Sequence, residues 1–171
     1  SLELCKRARD TSACMIVFSG VYFMAESAAI LNPGMKVVIP AKNAGCALSD
    51  MITASALRKR KRQYPDAAVV CYVNSSADVK AESDVCCTSS NAVDVTRSLP
   101  NKQIIFVPDK NLAAFVAKRV PEKEIIPWEG FCPIHQRLTA EYLTRAKEIH
   151  PGAEIIAHPE CTAEVQAIAD H

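Results

Sequence analysis

The chain has 171 residues, of which 49% are hydrophobic and 23% charged, which is the composition of a globular protein with enough apolar side chains for a core. Its formal net charge of +1 offers no global basic field, so we expect neither nucleic acid nor a membrane as a partner. Eight cysteines without the spacing of a disulfide scaffold indicate a reducing, cytoplasmic compartment.

The predicted elements alternate between strands and helices. The apolar run at residues 13–31 is interrupted by Gly20, Glu26 and two serines, so it predicts a buried strand at 15–18 and a core helix at 24–31 rather than a membrane span. Downstream, the patterns predict helices at 51–64, 77–83, 91–98, 111–120 and 138–149, and strands at 67–73, 103–107, 124–126 and 154–157. No secretory leader is recognisable at the start. This order predicts an α/β fold with short parallel sheets.

The chain also repeats itself. A shift of 86 residues places Cys46 on Cys132 and keeps its register through Asp84 on Asp170, with eleven identities in 39 pairs. Copies of one unit predict repeated three-layer α/β/α domains, with boundaries at 1–45, 46–131 and 132–171. Because the first and third copies are incomplete, we expect the chain to be an internal fragment of a longer protein.

Two cysteines recur at equivalent positions of the repeat. Cys46 and Cys132 both lie beside turn residues, and the same period would place a third thiolate beyond residue 171, a set that suits a [4Fe-4S] cluster with one open iron. Cys132 and His135 also form a C-x-x-H pair, but His135 corresponds to Ser49, so zinc is the weaker interpretation. Alternatively, the two cysteines bind no metal and are structural residues inherited from the duplicated unit.

Polar residues follow equivalent strands in two copies. Tyr72-Val73-Asn74 and His158-Pro159-Glu160 occupy the same register, at the strand ends where α/β proteins collect ligands. Tyr, His and Glu can transfer protons, and Asn can orient a carboxylate or carbonyl. Alternatively, these residues only satisfy loop backbone. Cys161 corresponds to Ser75, so we expect it to be a bystander thiol.

Two other patterns carry weaker signals. Thr88-Ser89-Ser90-Asn91 opens a helix and predicts either an anion site or an ordinary helix cap. The basic run at residues 58–62 corresponds to a segment of mixed charge and contains no aromatic residue, so a solvated helix face is favoured over nucleic-acid binding.

Taken together, these motifs resemble the quinolinate synthase (NadA) family over the whole chain. The matching segments are Gly20 to Glu26, Ala44-Gly45-Cys46, Tyr64 to Ala67, Tyr72 to Lys80, Cys87 to Val93, Phe106 to Leu112, Cys132 to His135 and His158 to Cys161. The resemblance implies three similar α/β domains in a pseudo-threefold arrangement around a [4Fe-4S] cluster that is held by one cysteine from each domain.

It also implies an activity. The family condenses iminoaspartate with dihydroxyacetone phosphate to quinolinate in NAD biosynthesis, a transferase reaction in which the open iron acts as a Lewis acid. The implied partners are these two small substrates and a supplier of iminoaspartate such as L-aspartate oxidase. The rival interpretations are a hydro-lyase or another enzyme that uses the same type of cluster, and a repeat protein with structural zinc.

The resemblance assigns roles to individual residues. Cys46 and Cys132 would be cluster ligands, and Tyr72 and Glu160 catalytic groups. Substrate contacts would come from Ser1, Tyr72, Asn74, Ser89, His135, His158 and Glu160. The family's third cysteine and its amino-terminal His-x-Tyr-Gln motif are not in the sequence, so we expect the chain alone to be inactive and to hold no stable cluster.

Overall fold

A computed structural model describes residues 2–171, so Ser1 lies outside the described part. The elements alternate as predicted, in two parallel sheets. The helices are α1 Leu2–Arg9, α2 Tyr22–Leu31, α3 Ala54–Gln63, α4 Ala77–Ala81, α5 Ala92–Ser98, α6 Lys110–Ala117, α7 Pro133–Gln136, α8 Ala140–Ile149 and α9 Ala163–Ile168. The strands are β1 Met15–Val17, β2 Lys36–Val38, β3 Ala68–Tyr72, β4 Val85–Cys87, β5 Gln103–Val107 and β6 Glu124–Pro127. No helix among the described residues has the length and apolarity that crossing a bilayer requires.

The central sheet has the order β4-β3-β5-β6, and every strand pair is parallel. All five residues of β3 are buried, as its uninterrupted apolar run predicts for a strand covered on both faces. One face, with Val70 and Phe106, packs against α5 and α6. The other face, with Val69 and Ile105, packs against residues from α3 and α4. The predicted three-layer α/β/α arrangement is therefore confirmed for this sheet.

The structure repeats one pair of aspartate–backbone hydrogen bonds at an interval of 86 residues. Val69 N donates to Asp84 Oδ2 over 2.7 Å, and Ile155 N donates to Asp170 Oδ2 over 2.9 Å, 86 residues further along. Asp84 N and Asp170 N return bonds to the same two residues, at 3.1 and 2.9 Å. Each aspartate ties the chain just after a helix, α4 or α9, to the start of the extended segment that precedes that helix.

The predicted strand at residues 154–157 is wrong for the described chain. In the second copy, β3 is held by β4 on one side and β5 on the other. The counterpart of β4 would begin at His171, which exchanges two backbone bonds with this segment: Ala157 N donates to His171 O over 2.8 Å, and His171 N donates to Ile155 O over 3.1 Å. Because no strand pairs with the segment on either side, it forms no sheet in spite of its strand-like sequence. Ile156 is 81% exposed, whereas its counterpart Val70 is fully buried.

Candidate active site

The polar residues singled out in the sequence lie at the carboxyl edge of the central sheet. Tyr72 ends β3, Asn74 follows it, and Ser89 follows β4. Residues 158–160 approach this edge from the next repeat, and Asn74 Nδ2 donates to Glu160 Oε1 over 3.5 Å. Asn74 and Glu160 are equivalent positions of the repeat, so corresponding residues of two copies meet at one site.

Glu160 is the centre of this group. The residue is only 3% exposed, and its second carboxylate oxygen lies 3.0 Å from His135 Nδ1, without the alignment of a hydrogen bond. The contact becomes an ion pair whenever His135 carries a proton. The Glu160 main-chain oxygen accepts a bond of 3.0 Å from Asn111 Nδ2. A buried carboxylate that faces an imidazole and an amide is placed to exchange protons with a bound molecule.

The contacts of His158 define its tautomer. Its Nδ1 accepts the Glu160 backbone N–H over 3.2 Å, so the proton of the neutral ring is on Nε2. That nitrogen lies 3.1 Å from Ser89 Oγ and donates to it. Burial lowers the pKa of His158, and the neighbouring His135 ring, stacked at 5.0 Å, acts in the same direction. The neutral ring thus occupies one hydroxyl acceptor site and leaves the Ser89 O–H free to donate to a ligand.

Tyr72 is held in its protonated form. Burial raises the pKa of its phenol far above the usual value, the charge and hydrogen bond of Glu160 raise it further, and the Ser89 hydroxyl opposes the shift only in part. Tyr72 is therefore able to donate a hydrogen bond or a proton, and it is not available as a base near neutral pH.

A thiol completes the group. The ligand atoms of Cys132, His135 and Glu160 all lie within 4.8 Å of one another, an arrangement that could hold a metal ion. Cys132 precedes α7, and burial raises the pKa of its thiol, while the backbone N–H groups of His135 and Ile134 oppose the shift only in part. Cys46 packs against the same apolar cluster as Cys132 but is not one of these three.

Asp109 fixes the position of Cys132. It is fully buried at the end of β5, where Oδ1 accepts Leu112 N over 2.8 Å and caps α6. Oδ2 accepts Cys132 N over 3.1 Å. Burial raises the pKa of this carboxyl to about 6 despite the backbone donors. Its location at a strand end was visible in the sequence, but its bond to Cys132 depends on a contact between segments 23 residues apart.

The structure brings most of the predicted site residues together. Those in mutual contact around Glu160 are Tyr72, Asn74, Cys132, His135 and His158, with Ser89 joined through His158. Ser1 lies outside the described residues. Two residues were missed: Asn111, whose amide joins Glu160 O to Gln136 Oε1 at 3.1 Å, and Gln136 itself. Asn111 lies in the Pro108-Asp109-Lys110-Asn111-Leu112 motif, and this motif is the sequence feature that could have identified it as a site residue.

The Thr88–Asn91 segment is not an ordinary helix cap. Asn91 precedes α5 but makes no side-chain bond to the helix. Its Oδ1 accepts Thr88 N at 2.7 Å and Thr88 Oγ1 at 2.9 Å instead. A cavity of about 460 Å³ opens beside Ser89, lined also by Phe115, Arg119 and Pro159, and its size is suitable for a small ligand.

The fold and the site define an α/β protein built from repeated units, with a buried carboxylate, two histidines and a thiol where two units meet. The family model described as "Quinolinate synthetase A protein" matches residues 1–171. The chain therefore belongs to this family.

Individual relatives agree with the family match. The chain is 56% identical over 171 residues to a protein named "Quinolinate synthase 2" from Methanosarcina acetivorans, covering 100% of this chain and 55% of that protein. It is 54% identical over 170 residues to a "Quinolinate synthase" from Alkaliphilus metalliredigens, covering 99% and 56%. A "Quinolinate synthase" from Methanoregula boonei is 53% identical over 171 residues, covering 100% and 56%. The chain thus spans about half the length of these relatives.

Proposed function

We propose that the complete protein to which this chain belongs is a cytoplasmic quinolinate synthase, which condenses iminoaspartate with dihydroxyacetone phosphate. The family match over residues 1–171 carries the proposal. The geometry supports it because both substrates are small and anionic, and the cavity beside Ser89 offers hydroxyl donors and the Arg119 guanidinium to their oxygens.

The donor set near the sheet edge fits a thiolate-bound metal group. Cys46 and Cys132 are free, half-buried thiols that pack on one apolar cluster, and thiolates are the ligands that iron–sulfur clusters use. We infer that these two residues hold a [4Fe-4S] cluster together with a cysteine from the rest of the protein. When bound, such a cluster supplies a Lewis acid that polarises a substrate oxygen or nitrogen.

The chain's own residues would then bind substrate and move protons. The free O–H of Ser89 and the amide of Asn74 orient carboxylate or carbonyl oxygens. Glu160 accepts a proton during condensation and returns one during dehydration, since it is buried beside His135 and Asn74. Tyr72 acts as a proton or hydrogen-bond donor, because its phenol stays protonated.

The test is the Glu160→Gln variant of the complete protein, reconstituted anaerobically. We expect quinolinate formation to fall on the order of 10²- to 10⁴-fold while the visible absorption of the cluster is retained. Glu164→Gln, an exposed position on α9, is the matched control and should remain active. Full activity of Glu160→Gln would remove Glu160 from the mechanism, and absence of quinolinate formation by the unmodified protein would refute the proposed reaction.

Zinc is the second candidate, because Cys132, His135 and Glu160 offer sulfur, nitrogen and oxygen within 4.8 Å of one another. Anaerobic metal analysis of the complete protein separates the two. About four iron and four sulfide per protomer support the cluster, whereas about one zinc supports the alternative.

A further inference from the structure

A pair of cysteines lies side by side in the central sheet, away from the proposed metal ligands. Cys71 of β3 and Cys86 of β4 are direct partners in the parallel register. Val85 and Cys87, on either side of Cys86, pack on the sheet face covered by α5 and α6. Because side chains alternate along a strand, Cys86 points to the opposite face, where Cys71 packs beside Val79 of α4.

The spacing of the two residues suits a covalent link. Neighbouring strands lie about 4.7–4.9 Å apart, and disulfides join residues whose Cα atoms are about 4.4–6.8 Å apart. The pair therefore falls inside the permitted range, near its short end, without movement of the backbone. Thiol–disulfide exchange can open such a bridge again, so the link would be reversible.

The two thiols differ in the way that thiol exchange requires. Cys86 is exposed, whereas Cys71 is fully buried. Interaction with the adjacent Cys71 thiol lowers the pKa of Cys86 to about 7, and the nearby Lys80 ammonium acts in the same direction. The pKa of Cys71 is raised well above its usual value, first by its interaction with Cys86 and then by burial. The Cys86 thiol is thus accessible and reactive, and the adjacent Cys71 thiol is protected from solvent.

We propose that Cys71 and Cys86 form a reversible disulfide when the protein meets a small-molecule disulfide, and that this pair is a redox modification site. The Cys86 thiolate attacks one sulfur of the disulfide RSSR, giving a Cys86–S–S–R mixed disulfide and releasing RS⁻. Cys71 then loses its proton and its sulfur attacks the Cys86 sulfur, which forms the Cys71–Cys86 bond and releases the second RS⁻. Two protein thiols are oxidised, and RSSR is reduced to two thiols.

Cys87 provides an internal control next to Cys86. It points to the other face of the sheet and is buried, and burial raises the pKa of its thiol to about 12. Reactivity that depended only on position in the sequence would include Cys87, whereas the structure restricts it to Cys86.

The experiment exposes the complete, cluster-loaded protein to glutathione disulfide without oxygen, followed by alkylation, trypsin digestion and mass spectrometry. Cleavage after Arg62, Lys80 and Arg97 separates the two cysteines, since Cys71 falls in peptide 63–80 and Cys86 in peptide 81–97. We expect the cross-linked pair of these peptides to appear and to disappear on reduction.

Three variants identify the sulfurs. The cross-link should be absent from Cys86→Ser and retained in Cys87→Ser, and Cys71→Ser should accumulate glutathione on Cys86 because no second thiol displaces it. A cross-link that survives Cys86→Ser, or one that forms only after denaturation, would overturn the proposal. So would glutathione remaining on Cys86 in the unmodified protein with no cross-linked peptide. None of these outcomes depends on the reaction that the protein catalyses.

Discussion

Replacement of Gly130 by alanine tests whether the loop before Cys132 is held where the structure has it. Gly130 forms an isolated parallel bridge with Asp109, and its carbonyl accepts Lys110 N over 2.8 Å. A Cβ at this position would lie 2.4 Å from the carbonyl oxygen of Pro108. That oxygen belongs to the backbone, so the side chain cannot avoid it by rotation.

The size of the effect follows from this geometry. The loop must move by about 1 Å to reach ordinary van der Waals contact, which costs about 1–3 kcal/mol by analogy with overpacked cores. The movement also breaks the bond between Lys110 N and Gly130 O, worth about 1 kcal/mol. We therefore expect Gly130→Ala to lower the free energy of unfolding by about 2–4 kcal/mol.

Urea unfolding of the complete protein measures the loss of stability, and iron content after anaerobic reconstitution reports whether Cys132, a proposed cluster ligand, has moved. Gly34→Ala is the matched control, since a Cβ there meets nothing within 4 Å, and it should change stability by no more than about 0.5 kcal/mol. Equal stability and equal iron content in the two variants would refute the described approach of Gly130 to Pro108.

Three further predictions concern buried groups. The raised pKa of Asp109, about 6, means that the folded protein holds this proton more tightly than the unfolded chain, so its stabilising effect is lost as pH rises from about 4 through 6. Between about pH 4 and pH 7, the urea midpoint of unfolding should therefore decrease more for the unmodified protein than for Asp109→Asn. Burial lowers the pKa of His158, so stability should decline as pH falls below about 6.5, and its ring should titrate below that value by NMR. Leu57→Ala, at a fully buried site, should cost about 2–5 kcal/mol in urea unfolding.

Each of these has a distinct contrary result. Parallel pH profiles for the unmodified protein and Asp109→Asn would mean that this carboxyl does not titrate differently on folding. A His158 ring that titrates at or above the ordinary value would contradict its burial. Leu57→Met is the control for size, expected to cost less than about 1.5 kcal/mol, and a Leu57→Ala variant no less stable than this control would contradict the packing of α3.

The strands show how far local sequence determines this sheet. β3 was predicted to within one residue at each end, because a continuous run of apolar residues can only be buried on both faces. β4 was missed, since it has only three residues, next to Asp84 and Thr88, and forms because β3 offers it a free edge. The segment at 154–157 has the same character as β3 but lacks a ladder on either side, so it forms no strand in the described residues.

The residues of the candidate site also differ in how far the sequence predicts them. Tyr72, Asn74, His158 and Glu160 could be selected from the register of the repeat and from the residue types that transfer protons. The role of Asp109 could not be predicted, because it depends on the Gly130 bridge that brings Cys132 to its carboxylate.

The sequence by itself determined the repeat, the alternation of strands and helices, and the equivalence of Cys46 with Cys132, because these depend on spacing and residue type along the chain. Only the tertiary structure decided that Asn74 meets Glu160, that His158 donates to Ser89, and that Cys71 lies beside Cys86. Such contacts join residues far apart in the chain, and they form only when the packing of helices on the sheet brings distant segments together.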